Sequence, residues 1–173
     1  MKIAILGWGS LIPCPGDLRI QGDWHSNGPV LPVEFSRKSA DGRLTLVIDH
    51  GRGSDVTTQY AESSHEIIDD AIDNLRRREG TTRENIGICG KNRSRNRSKH
   101  PEVLPVINVW LNSSDFDAVL WTDLNSNFAQ GQTKDQFIGS AIAYLNSLPN
   151  DCKASARDYI NRAPAETATA FAP

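Results

Sequence analysis

The chain has 173 residues, with 19 Lys and Arg against 21 Asp and Glu and a formal net charge of −2. That length suits one domain able to bury its own core, and the near-balanced charge supplies no general attraction to nucleic acid or anionic lipid. No apolar run is long enough to span a bilayer, and no signal-peptide pattern opens the chain.

The first element is an apolar strand that runs into Gly7-Trp-Gly-Ser-Leu-Ile12, before Pro13 and Pro15 stop any regular continuation. Gly7 and Gly9 permit positive φ, so successive amides can converge on one point and hold an anion or a developing oxyanion. The loop is not a dinucleotide fingerprint, because Ile12 stands where the third glycine belongs. Nor is it a nucleophile elbow, because Trp8 and Ile12 flank Ser10 where glycines are required. A plain strand-to-loop turn is the alternative reading of a short glycine pair.

Residues 13–29 hold Gly, Pro, Asp and Asn and read as irregular, with Trp24 and His25 as covering side chains. Residues 30–36 and 43–49 read as two strands joined at Asp41-Gly42, each alternating as strands with one buried face do. A short strand follows over 56–61. Ser63 with Glu66 then makes a capping box for the best helix in the chain. Ile67, Ile68, Ala71, Ile72 and Leu75 form its apolar stripe, and Arg76, Arg77 and Arg78 suit the negative end of its dipole. Gly80 supplies a C-cap, which leaves Glu79 at the helix end.

Residues 81–101 carry Lys91, Arg93, Arg95, Arg97 and Lys99 among Asn and Ser and read as a solvated, flexible loop. The segment has no aromatic on which a base could stack and belongs to a slightly acidic chain, so no nucleic-acid partner is expected. Residues 103–111 and 116–122 read as a second, central strand pair with Trp110 and Trp121 as core aromatics. Residues 123–131 are loop. Thr133 with Gln136 caps a helix whose stripe is Phe137, Ile138, Ala141, Ile142 and Leu145, and a last helix covers 151–162. One domain over 1–165 is expected, with 166–173 as a frayed tail.

The cysteines (Cys14, Cys89 and Cys152) and the histidines (His25, His50, His65 and His100) are scattered without ligand spacing. Reduced thiols in a cytoplasmic protein are expected, and no metal.

Three stretches, taken in order, resemble the gamma-glutamylcyclotransferase-like superfamily, nearest to its ChaC-type branch. Gly7-Trp-Gly-Ser-Leu-Ile12 is similar to the family's Gly-Tyr-Gly-Ser-Leu-Ile loop. The strand pair over 30–48, with Phe35-Ser-Arg-Lys-Ser39, looks like the hairpin that follows it. Ala71-Ile-Asp-Asn-Leu-Arg-Arg-Arg-Glu79 resembles the family helix ending in Leu-x-x-Arg-Glu. The likeness covers the first half of the chain by motif and the rest by element order.

The resemblance implies an α+β fold, a small mixed, partly closed β-barrel flanked by two or three helices. It implies cleavage of a gamma-glutamyl amide, in which the substrate's own α-amine attacks the γ-carbonyl and releases 5-oxoproline and a free amine or amino acid. On this likeness Glu79 is the catalytic acid/base, and Gly7, Trp8, Gly9, Ser10 and Leu11 bind the glutamyl group. No cofactor is implied, and the partner is a small gamma-glutamyl compound, with neither nucleic acid nor membrane involved and the oligomeric state left open.

The chain also departs from the family pattern. Trp8 replaces a tyrosine, Pro13-Cys14-Pro15 stands where Trp-Asn-Pro often follows, and Arg52-Gly53-Ser54 is the nearest counterpart of an Arg-Gly-Thr segment. The tyrosine expected shortly after the glutamate is missing. These departures leave open which gamma-glutamyl compound is the substrate. They also leave, as the alternative, a non-catalytic small-molecule or partner-binding module on the same fold.

Overall fold

An unbroken apolar strand has to be covered on both faces, and β1 (Ile3–Gly7) is buried along its whole length. In the computed structural model, which describes residues 1–91 and 95–163, β1 is the middle strand of a five-stranded sheet of order β2-β6-β1-β8-β7. The others are β2 (Ile20–His25), β6 (Gln59–Ser63), β7 (Ile86–Gly90) and β8 (Ala118–Thr122). β1 runs parallel to β8, with Ile3 opposite Ala118 and Ile5 opposite Leu120, and antiparallel to β6.

A second sheet, β4-β3-β5, is antiparallel. It is built from β3 (Val30–Lys38), β4 (Leu44–Ile48) and β5 (Ser54–Thr57). Four helices are described, α1 (Ile68–Arg78), α2 (Leu104–Asn112), α3 (Lys134–Ser147) and α4 (Asn150–Asn161), rather than two or three. The fold is α+β with a mixed sheet, and no closed barrel forms among the described residues.

Strand alternation divides the core in two. Ile3, Ile5, Ile86, Ile88, Ala118 and Leu120 pack with Ile68, Ala71, Ile72 and Leu75 of α1. Ala4, Leu6, Val119 and Trp121, from the other face, pack with Leu31, Val33 and Phe35 of β3, Ile107 and Leu111 of α2, and Phe137 of α3.

Several expectations are corrected. Residues 103–111 form most of α2 rather than a strand. Pro105 lies in its first turn, where no intrahelical donor is lost, and burial is one-sided: Ile107 and Leu111 are covered while Val109 is 72% exposed. The strand expected over 56–61 is two strands in different sheets. They part at buried Thr58, whose amide and hydroxyl both donate to the Pro29 carbonyl. β2 arises in the segment read as irregular, with Gly22 at φ 69° and a register shift between Gln21 and His25.

The segment expected as a solvated basic loop supplies β7, and Arg97 pairs with Ile88 in a further bridge. Its guanidinium holds the Ile86 and Arg83 carbonyls; Arg93 lies outside the described residues, as does the tail expected over 166–173. Ser63 ends β6 and accepts the His65 amide instead of capping α1, whose N-cap position is Ile67. Both faces of β3 are buried, because Glu34 and Ser36 are wholly covered too. The β3–β4 register shifts between Glu34 and Arg37, and the Phe35 amide donates to Glu34 Oε1 at 2.9 Å. The turn at Gly42, with φ 85°, and the Thr133–Gln136 capping box form as expected.

Gly87 of β7 is demanded by space: a Cβ there would stand 2.0 Å from the indole of Trp121, which is fully buried. Gly87→Ala should therefore cost about 3 kcal/mol through overpacking. Urea unfolding should show the loss as a lower midpoint at unchanged slope.

Candidate functional site

α1 ends in a Schellman motif. Gly80, at φ 60°, donates its amide to the Arg77 carbonyl at 3.1 Å, and the Thr81 amide donates to Arg76 at 2.9 Å. This arrangement fixes Glu79 as the C-cap residue. The loop after β1 winds as a turn, with the Ile12 amide donating to the Gly9 carbonyl at 3.1 Å and the Cys14 amide to Ser10 at 3.0 Å. The first amides of such a turn lack internal partners. Those of Gly9, Ser10 and Leu11 find no acceptor among the described residues.

Positive φ is not what glycine supplies here, since neither Gly7 nor Gly9 adopts it. The requirement is space. A Cβ on Gly7 would lie 2.9 Å from the Trp24 ring and 3.2 Å from Ile12, and one on Gly9 would lie 3.2 Å from the Tyr159 hydroxyl.

The loop and the helix end meet at a cavity of about 130 Å³. Gly7, Trp8, Gly9, Ser10, Leu11 and Glu79 all line it, so the six residues singled out from the sequence are brought together. Thr45, Leu46 and Val47 of β4 form another wall, Thr122 and Leu124 close the end of β8, and Tyr159 enters from α4. A larger depression of about 490 Å³ beside α4 contains neither a carboxylate nor any part of the loop.

Arg78 turns inward and joins the two halves. Its Nε donates to the Pro15 carbonyl at 3.3 Å, its Nη2 to the carbonyls of Ser10, at 3.1 Å, and Cys14, and its Nη1 to Glu79 Oε1. A guanidinium carries five donors in a rigid fork, which a lysine could not match. Both partners of the ion pair are largely covered, with side-chain exposures of 14% for Arg78 and 17% for Glu79.

Tyr159 is the site residue that the sequence reading missed. The available signal was its place three residues after Ala156, the buried position of α4. Its ring meets Phe35 edge-on at 6.0 Å, the Arg43 guanidinium lies 5.2 Å from its centroid, and its hydroxyl faces the Leu46 backbone and the Ser10 side chain. Burial foremost, with the nearby Glu79 charge adding to it, holds the phenol above its ordinary value of 10.0. At physiological pH Tyr159 is therefore a neutral hydrogen-bond donor.

Arg52 has a different task. It pairs with buried Asp49 at 2.8 Å and donates to the carbonyls of Phe128 and Ala129 at 3.2 and 2.7 Å, outside the cavity lining. Among the described residues no three metal-ligating side chains converge, and no described helix is long and apolar enough to cross a membrane. Comparison with protein-family models, curated proteins and solved structures gave no match.

Arg78→Met should release the loop carbonyls and leave Glu79 without its cation, costing about 1–3 kcal/mol. Faster hydrogen exchange at the Cys14 amide, which closes the turn, should accompany the loss in urea stability. For Tyr159, the folded pKa lies above the unfolded one, so its contribution is fully present below pH 10.0 and is lost as pH rises through the folded value. An alkaline absorbance titration should show one of the three tyrosines ionising late, and Tyr159→Phe should delete that step.

Proposed function

We propose that the protein is a cofactor-independent enzyme of the gamma-glutamyl cyclotransferase type. The observation that carries this reading is that the Glu79 carboxylate and the 7–11 loop, far apart in sequence, line one small cavity. The same reading takes the two sheets as the two sides of the family's partly closed barrel.

The reaction places two demands on one region. The substrate's α-ammonium must lose a proton before its amine attacks the γ-carbonyl, and the leaving nitrogen must gain one. In the proposed mechanism Glu79 accepts the first proton and returns it to the leaving nitrogen; the second proton, which the attacking nitrogen sheds as it becomes the lactam N–H, passes to the departing amine, which leaves as its ammonium ion. The amides of Gly9, Ser10 and Leu11 bind the glutamyl end or the oxyanion of the tetrahedral intermediate. Tyr159 supplies a neutral side-chain donor, the kind of group that the family places soon after the glutamate.

One observation favours a second reading, a binding module on the same fold. Arg78 already engages Oε1 of the Glu79 carboxylate, an anchoring role for that side chain that needs no proton transfer.

Glu79→Gln separates the two readings. The amide keeps the size of the carboxylate, and Arg78 keeps its bonds to the Ser10, Cys14 and Pro15 carbonyls, so the fold should persist. Release of 5-oxoproline from a panel of glutathione, gamma-glutamyl amino acids and gamma-glutamyl amines should fall by about 10²–10⁴-fold, with binding retained. Turnover equal to wild type would remove Glu79 from catalysis. A wild-type chain that binds a panel member without cleaving any would leave the binding module in its place.

A further inference from the structure

A second cavity of about 200 Å³ abuts the first and shares Gly9, Ser10, Leu46 and Tyr159 with it. Neither space alone reaches the ~300 Å³ at which ordinary small-molecule sites begin, while the two together do. The two chambers meet at Tyr159, whose hydroxyl stands beside Gly9, so a ligand that fills both passes that side chain.

The walls of the second chamber define what fits. Pro13, Leu46, Ala163 and the Tyr159 ring make it largely apolar. Each of its two guanidiniums has an aspartate beside it: Arg43 Nε lies 2.6 Å from Asp41, with the guanidinium over the Tyr159 ring, and Arg162 Nε lies 2.9 Å from Asp158. The charges around the chamber therefore balance in pairs, and its apolar wall dominates. The chamber is thus suited to an uncharged group.

We propose that this chamber is a second subsite, which takes the amine half of the substrate, and that the preferred substrates are gamma-glutamyl amides of uncharged, apolar amines. The proposal rests on the cyclotransferase reading for the chemistry of the ligand but not for the existence of the subsite. Tyr159 is its positioning residue, set where the amide that joins the two halves must lie.

The test is calorimetric, on the full chain carrying Glu79→Gln, with three probes: 5-oxoproline, glutamic acid γ-anilide and γ-glutamylglycine. The anilide should bind at least about tenfold more tightly than γ-glutamylglycine, a difference of about 1.4 kcal/mol. Cys14 is an exposed wall residue of the second chamber, and Cys14→Trp should weaken the anilide by about tenfold or more while 5-oxoproline binds as before. Pro13→Trp serves the same purpose if the first variant does not fold.

Equal losses for the anilide and 5-oxoproline, no loss for either, or no binding of any probe would overturn the second subsite. Tighter binding of γ-glutamylglycine would overturn the substrate class. Turnover with Glu79 restored decides the other question by itself. An anilide that shows the predicted binding pattern but is never cleaved sinks the cyclotransferase reading and leaves the subsite standing, whereas cleavage indifferent to a blocked chamber does the reverse.

Discussion

β1 has no face that it can show to water. All of its residues are buried, and the pleat sends Ile3 and Ile5 one way and Ala4 and Leu6 the other. One face takes the apolar stripe of α1; the other takes the second sheet together with α2 and α3. This double covering places the end of β1 between the end of α1 and the edge of β4. The loop at 7–11 emerges there, and the cavity is lined by that loop, by Glu79 at the end of α1 and by Thr45, Leu46 and Val47 of β4.

The site is braced by side chains more than by sheet. Arg78 holds three carbonyls of the loop from Ser10 to Pro15 while touching Glu79, so the group proposed to move protons and the amides proposed to bind substrate share one anchor. Arg52 does similar work for the 126–129 segment, joining Asp49 to the carbonyls of Phe128 and Ala129 and to Ser126. That segment in turn covers the carbonyl that the irregular β3 leaves open, since the Asn127 and Phe128 amides and the Ser126 hydroxyl all donate to Ser36. Buried guanidiniums of this kind persist because each donor finds an acceptor.

α4 makes the site a long-range construction. Tyr159 reaches Ser10, the Leu46 backbone and the Phe35 ring from the last described helix, so the cavity is complete only when the C-terminal helix has docked on the first loop. The phenol is protonated at physiological pH and burial extends that state to higher pH; a proton on that oxygen is what allows it to donate to a ligand as well as to shape the wall.

Local signals were enough for β3, β4, β8, α3 and α4. Each is marked by alternation, by a short apolar run, by Asp41-Gly42, by Thr133 and Gln136, or by a proline that stops a helix. The end of α1 was equally legible, because three arginines and Gly80 specify a C-terminus whatever packs on it. α2 was not, since the apolar run over 103–111 suits a buried strand or a one-sided helix, and only its neighbours decide which face is covered. β7 was hidden by its two glycines, one of which exists to admit the Trp121 ring. The six candidate residues came from motif and spacing, but their meeting at one cavity, the inward turn of Arg78 and the arrival of Tyr159 belong to the tertiary structure. Each depends on contacts between segments whose separation along the chain leaves no periodic trace in either one.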